Sequence, residues 1–119
     1  YGYLEKKMKN TLRAISNHKY SSILKNIGKS DITHNLNFSL FRKLIKQLGG
    51  MKDMITTQRD FLMKMGIEKR AEIISKNQNF SKKADIYYRL KKLIGENQMG
   101  KIFKVMFIKK QNNNYKLGF

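Results

Sequence analysis

"MGKIFKVMFIKK", residues 99–110, is the most apolar stretch of the chain, and how it is read decides how the rest is read. Only Lys104 interrupts it between Ile102 and Ile108, and it is far shorter than the roughly 20 apolar residues of a membrane span. A continuous run of this length, rather than an alternating one, is the pattern of a strand covered on both faces. Such a strand needs neighbouring strands in a sheet and helices to cover it.

The residues upstream supply the helices. "SKKADIYYRLKKLIG" at 81–95 sets Ile86, Tyr87, Leu90, Leu93 and Ile94 on one face, with Ser81 as cap and Gly95 as stop. "QRDFLMKMGIEKRAEIISKN" at 58–77 reads as a short helix ending near Met65, a hinge at Gly66 and a second helix through Ile73 and Ile74. Asp60 and Glu68 fall where the two helix dipoles favour an acid. Earlier, Phe38, Phe41, Leu44, Ile45 and Leu48 line a helix capped by Asn35 or Asn37 and stopped by Gly49 and Gly50, and residues 54–57 are β-compatible.

Towards the ends the pattern weakens. "QNNN" at 111–114 is a turn signal, and "YKLGF" at 115–119 folds back as a short edge strand or forms a tail. Leu4, Met8, Leu12 and Ile15 fall at helical spacing, against which stand Gly2, Asn10 and "SNH" at 16–18; the alternative is a long loop with a helical turn around Leu24. The expected organisation is a loop-rich segment at 1–35, a helix, strand, three helices and strand over 36–108, and a tail or edge strand at 109–119. This is an α/β chain whose two or three strands are too few for a sheet with a buried middle. Its sheet is expected to be incomplete.

Composition narrows the function classes. The 119 residues suit one modest domain, and 40% hydrophobic residues suffice for a core. There is no cysteine, and His18 and His34 lack metal-ligand spacing, so no metal is expected. No segment is long enough to span a bilayer and no signal-peptide core opens the chain, so the default is a cytoplasmic protein without membrane contact. The chain starts at Tyr1, with its first methionine at Met8, and is expected to be part of a longer product. The net charge of +18 is spread along the chain rather than gathered in one arm, and only Arg13, Arg42, Arg59, Arg70 and Arg89 are arginine. Non-specific attraction of polyanions follows from it. With Tyr20, Tyr87 and Tyr88 it leaves open a small basic nucleic-acid-binding protein; drift in an A/T-rich genome explains the lysines without a ligand.

"TTQRDFLMKMGIEKRAEII" at 56–74 and "MGKIFKV" at 99–105 resemble two C-terminal blocks of the MidA-like methyltransferases. Thr57, Gln58, Phe61, Leu62, Gly66, Ile67, Arg70 and Ala71 match the first block, and Met99, Gly100, Phe103, Lys104 and Val105 the second. "TLRAISNHKY" at 11–20 keeps the family-like Thr11, Leu12, Ala14, His18 and Tyr20, and "DITHNLNF" at 31–38 keeps Asp31, Thr33 and Phe38. "YG" at the start resembles the end of an Asp-Tyr-Gly motif closing a sheet strand. The departures are Asn35 and Asn37 where the family pattern has His and Asp, and Arg59 where it has Gly.

The resemblance implies the C-terminal part of a class I, Rossmann-like, S-adenosylmethionine-dependent protein arginine methyltransferase. The glycine loop and the ribose-binding acid would lie upstream of Tyr1, so the cofactor serves the complete domain and this chain alone is expected neither to bind it nor to be active. The implied partners are the N-terminal portion of the same domain and, once completed, a protein substrate; a non-catalytic assembly partner is a third reading. Substrate-side candidates are His18, Tyr20, Asp31, Thr57 and Gln58. His18 could equally make a structural loop hydrogen bond, and Thr57 and Gln58 could cap the next helix. Gly66, Arg70, Met99, Gly100, Phe103 and Lys104 read as structural, and no residue is assigned a catalytic role.

Overall fold

The computed structural model describes residues 2–4, 10–25 and 27–119. They form two compact units, Tyr1–Lys43 and Leu44–Phe119, of mixed α/β structure.

Among its described residues the first unit carries five short strands. β1 (Gly2–Tyr3) pairs in parallel with β5 (Leu36–Asn37). β2 (Arg13–Ser16) is the centre of a separate antiparallel sheet, flanked by β3 (Lys19–Ser21) and β4 (Asp31–Thr33). The connection from β2 to β3 is two residues long, with Asn17 at φ 50° and His18 at φ 60°. Two consecutive positive φ values define the type I′ hairpin turn, whose twist matches the flanking strands, and Asn tolerates the first of them. Of the helix expected from Leu4 to Ile15, Leu4 and residues 10–12 are not helical and a strand begins at Arg13; residues 5–9, with Met8, lie outside the described residues. Helical spacing over four residues lost to a turn that only the "SNHK" stretch signalled. The expected turn at Leu24 is present, with the Lys25 amide donating to the Ser22 carbonyl at 3.0 Å.

α1 (Phe38–Leu48) follows β5 directly, and Asn37 caps it by accepting from the Leu40 amide at 3.1 Å. Phe38 is buried, and it explains Gly2: a Cβ there would lie 2.0 Å from the Phe38 ring. Of the expected apolar face only Phe38 and Ile45 are buried, whereas Phe41, Leu44 and Leu48 stay exposed.

The second unit rests on one long hairpin-like pair. β6 (Met51–Thr57) and β7 (Lys104–Lys110) run antiparallel in unbroken register from Met51 opposite Lys110 to Thr57 opposite Lys104. Between them come α2 (Gln58–Lys64), α3 (Ile67–Ser75), α4 (Phe80–Ile94) and α5 (Met99–Ile102). There are four helices here rather than the expected three, because Met99–Ile102 coils and the last strand starts two residues later than its apolar run. β7 is half-buried rather than covered on both faces, and Ile108 is 45% exposed. Asn79, not Ser81, caps α4, its Oδ1 accepting from the Lys82 amide at 2.9 Å. The C-terminal residues form no strand: Phe119 packs against Phe61 and Phe107, each at 5.7 Å between ring centroids.

Gly66 and Gly100 are fixed for different reasons. Gly66 joins α2 to α3 at φ 78°, a conformation that only glycine adopts without strain. Gly100 is buried, and a Cβ on it would come within 2.5 Å of the Ile94 carbonyl oxygen. Among the described residues no helix is long and apolar enough to cross a membrane, and no group of His, Cys, Asp or Glu could hold a metal ion.

Candidate functional site

In the first unit a groove of about 520 Å³ opens beside the parallel pair β1 and β5. Tyr3, Leu12, Leu36, Leu40 and Phe41 give it an apolar lining, and Asn10, Thr11, His34, Asn35 and Asn37 add its polar groups. Two of the polar side chains hold the frame: Thr11 Oγ1 accepts from the Asn35 amide at 3.1 Å, and Asn37 caps α1. The His34 ring nitrogen Nδ1 lies 3.2 Å from the Asn35 carbonyl oxygen. A carbonyl only accepts, so this contact requires the hydrogen on Nδ1 and leaves Nε2 of the neutral ring as the proton acceptor. Asn35 and Asn37 cannot take up a proton at all. The signs of this groove in the sequence were the "TLRAISNHKY" and "DITHNLNF" blocks, which supply Thr11, Leu12 and residues 34–37; Tyr3 and the α1 residues Leu40 and Phe41 complete it from positions that no spacing rule connects.

Tyr20 and Asp31 are brought together. Both stand directly opposite Ile15, on β3 and β4 respectively, so the three residues form one cross-strand row on the same face of the sheet. Tyr20 is 79% exposed and Asp31 is exposed as well. His18 sits at the tip of the adjoining turn, exposed, with a backbone conformation set by the turn.

Thr57 and Gln58 belong to the second unit and do different jobs. Thr57 caps α2: Oγ1 accepts from the Asp60 amide at 3.0 Å and donates to the Asp60 carboxylate at 2.6 Å. Gln58 begins α2, its amide bound to the Phe103 carbonyl, while its Nε2 donates to the Leu93 carbonyl at 2.8 Å. Next to it Arg59 Nη1 donates to the Ile94 carbonyl at 2.7 Å. Two side chains from the start of one helix thus satisfy the last carbonyls of α4, groups that a helix cannot satisfy internally. Glu96, just beyond, has its carboxyl held below the usual range, first by a hydrogen bond from Lys101 at 2.7 Å, then by that ammonium's charge and, more weakly, by Arg59.

Of the residues read as structural, Arg70 lines a groove between α3 and α4, Phe103 closes α5, and Lys104 donates to the Lys101 carbonyl at 2.7 Å. Met99 opens α5 and is partly exposed.

Comparison with known proteins adds the context for these positions. A family model described as "Putative S-adenosyl-L-methionine-dependent methyltransferase" matches residues 1–57. A crystal structure of an uncharacterized protein from Burkholderia thailandensis is similar at TM-score 0.82 and 22% identity, over 99% of this chain and 33% of that one. A second structure from the same organism, bound to S-adenosyl-homocysteine, is similar at TM-score 0.70 and 26% identity, over 91% of this chain and 28% of that one. The chain has a methyltransferase fold. Among curated proteins, the mitochondrial protein arginine methyltransferase NDUFAF7 of Xenopus tropicalis is 26% identical over 113 residues, and that of Danio rerio is 30% identical over 97. These matches take in 94% and 78% of this chain but only 26% and 22% of the relatives, so the chain spans about a quarter of their length.

Among the described residues two strand-to-helix junctions are present, β5 to α1 at Asn37 and Phe38, and β6 to α2 at Thr57 and Gln58. Neither carries a glycine turn of the kind that lets a backbone approach a nucleoside cofactor. The groove beside β1 and β5 has no carboxylate among its described lining residues to take a ribose hydroxyl pair.

Proposed function

We propose that this chain is the C-terminal part of an S-adenosylmethionine-dependent protein methyltransferase domain acting on arginine, and that its partner is the N-terminal portion of the same domain. The observation that carries this reading is a fold match that takes in 99% of the chain and only a third of its structural neighbour. A sparse interior supports it. Among the described residues only Ala14, Phe38, Ile45, Ala71 and Ile94 are buried apolar side chains, while Leu24, Leu48, Ile73 and Phe80 are each more than 60% exposed. A core this small supports a chain that is completed by further protein.

Methyl transfer needs a donor held in line with a desolvated nitrogen and a route for the proton. In this reading the N-terminal portion holds the donor, contributing the glycine turn and the ribose acid, and the chain alone binds no cofactor and transfers no methyl group. The first unit provides the substrate side: the row of Tyr20 and Asp31, His18 at the turn, and the groove with His34 Nε2 as its proton acceptor. Thr57 and Gln58 hold the β6–α2 junction of the second unit. The S-adenosyl-homocysteine bound by the Burkholderia relative and the arginine methyltransferase name of the curated relatives support the cofactor and the substrate class. The completed domain acts on a protein substrate.

A calorimetric titration of the chain with the N-terminal two thirds of a relative, in the presence of S-adenosylmethionine, tests the reading. Stoichiometric association, followed by transfer of labelled methyl to arginine by the pair and not by either part, is the expected result. Methylation by the chain alone would refute the proposal, and so would a folded chain that fails to associate.

A further inference from the structure

The ladder register of the second unit places Lys52 directly opposite Lys109, two ammonium-bearing stems on one face of a two-stranded sheet. Like charges in that relation cost stability. Two other lysines of this unit are neutralised locally, Lys69 by Glu72 at 3.1 Å and Lys101 by Glu96 at 2.7 Å. Here it adds charge instead. A cleft of about 410 Å³ is lined by Lys52 and Lys109, by Lys46 from the last turn of α1 and by Lys116, with Asp53 its one carboxylate among the described lining residues.

The cleft is also ordered. Lys109 Nζ donates to the Tyr115 carbonyl at 2.8 Å, the Tyr115 amide donates to Asn113 Oδ1 at 2.8 Å, and the Gln111 amide donates to the Gly50 carbonyl at 2.7 Å. These bonds fold the 111–116 turn so that the amides of Asn113 and Asn114 line the same cleft as the four ammonium groups. Lys46, Lys52 and Lys116 form no ion pair among the described residues. We propose that this cleft binds a phosphate-bearing anion. A phosphoryl group presents several acceptor oxygens and up to two negative charges to donors arriving from different sides, which suits convergent point charges and amide N–H groups; one carboxylate would leave most of the lysines unneutralised. The proposal stands apart from the methyltransferase reading, since it needs neither the cofactor nor the remainder of the domain.

The shared chemistry is the phosphate oxyanion, and two probes separate its sources: inorganic pyrophosphate and a single-stranded RNA of about 12 nucleotides, each titrated into the full chain at about 150 mM salt. Saturable binding of at least one is expected. The double variant Lys52→Gln with Lys116→Gln weakens it by about tenfold or more, and for RNA makes the log–log salt slope shallower by about 1.4. Lys82→Gln with Lys83→Gln, which removes the same charge from α4, changes affinity by less than about twofold. Without ligand, Lys52→Gln raises the unfolding midpoint, because it relieves the repulsion with Lys109. RNA that competes with pyrophosphate through these lysines identifies a nucleic-acid backbone as the ligand; pyrophosphate binding without RNA binding identifies a free phosphate compound. No saturable binding of either probe, or equal weakening by both double variants, would overturn the proposal.

Discussion

In the unit that ends at Lys43, strands of two to four residues are placed by ladder register and by one two-residue turn, and Ala14 and Phe38 are its buried apolar side chains. In the unit that begins at Leu44, a seven-residue strand pair carries α2 to α5, whose ends are closed by side chains and close backbone contacts from neighbouring helices. The first unit depends on backbone conformation at a few turn residues. The second depends on satisfying helix-end carbonyls where there is little space. Substitutions should therefore act on the two units in different currencies, and the exposed candidates of the first unit can be changed at little cost to its fold.

The largest effect is expected at Gly100. A methyl group there meets the Ile94 carbonyl oxygen at 2.5 Å and the Gly95 carbonyl oxygen at 2.8 Å, both backbone atoms that cannot swing aside. Gly100→Ala is expected to destabilise the second unit by about 2 kcal/mol or more. Hydrogen exchange should show β6 and β7 amides losing protection while those of β2 keep theirs. Equal loss in β2 would show that the two units unfold together and would break the comparison.

Arg59→Ala comes next. It leaves the carbonyl of buried Ile94 without its donor, at a cost of about 1–2 kcal/mol in urea unfolding. Gln58→Ala should cost less, because Leu93, whose carbonyl it serves, is more exposed and water can replace the donor. Arg59→Gly, which restores the residue the family pattern expects, should be no better than alanine here: glycine removes the same bond and adds the entropy cost of a helical glycine.

The positions legible from sequence share a physical cause. α1 and α4 carry apolar periodicity over three turns or more, and Gly66 stands out between two periodic runs, so these elements were legible, although most of the apolar face of α1 stays exposed. The last strand was legible as an element but not in its bounds, since nothing in "MGKI" reveals that Gly100 must pack under the end of α4 and so coil. The strands of the first unit were not legible, because two to four residues are too few to establish a period of two. The pairing of Tyr20 with Asp31 across Ile15 is a matter of register, which no single segment encodes. Gln58 illustrates the same limit at the candidate site: its place after Thr57 suggested a cap for its own helix, and it closes the far end of another, 35 residues away.

His18 offers a smaller effect that separates fold from function. At φ 60° it occupies a left-handed conformation that costs a non-glycine residue energy, so His18→Gly is expected to stabilise the hairpin by about 0.5 kcal/mol. In the associated pair the same variant should lower methyl transfer if the imidazole serves the substrate side. A more stable hairpin with unchanged transfer would assign His18 to the turn alone and leave Tyr20 and Asp31 as the functional row.

The smallest expected effect lies in the link between α4 and α5. Lys101 donates to Glu96 at 2.7 Å and, with a weaker contribution from Arg59, lowers the pKa of that carboxyl from 4.5. A carboxyl whose folded pKa lies below its unfolded value contributes stability that is present above the unfolded pKa and is lost as pH falls through the folded one. Acid unfolding of the second unit should therefore be less steep for Glu96→Gln than for the wild-type chain below about pH 4.5, with no difference at neutral pH in its dependence on pH. Both partners are more than half exposed, so about 0.5 M salt should erase most of the contrast. The Arg59→Ala variant gives a further check, because removing that guanidinium weakens the field at Glu96 and moves the acid limb slightly upward in pH even where Lys101 is intact. An acid limb that ignores all three changes would mean that the helix-end contacts of Arg59 hold the α4 terminus without help from charge.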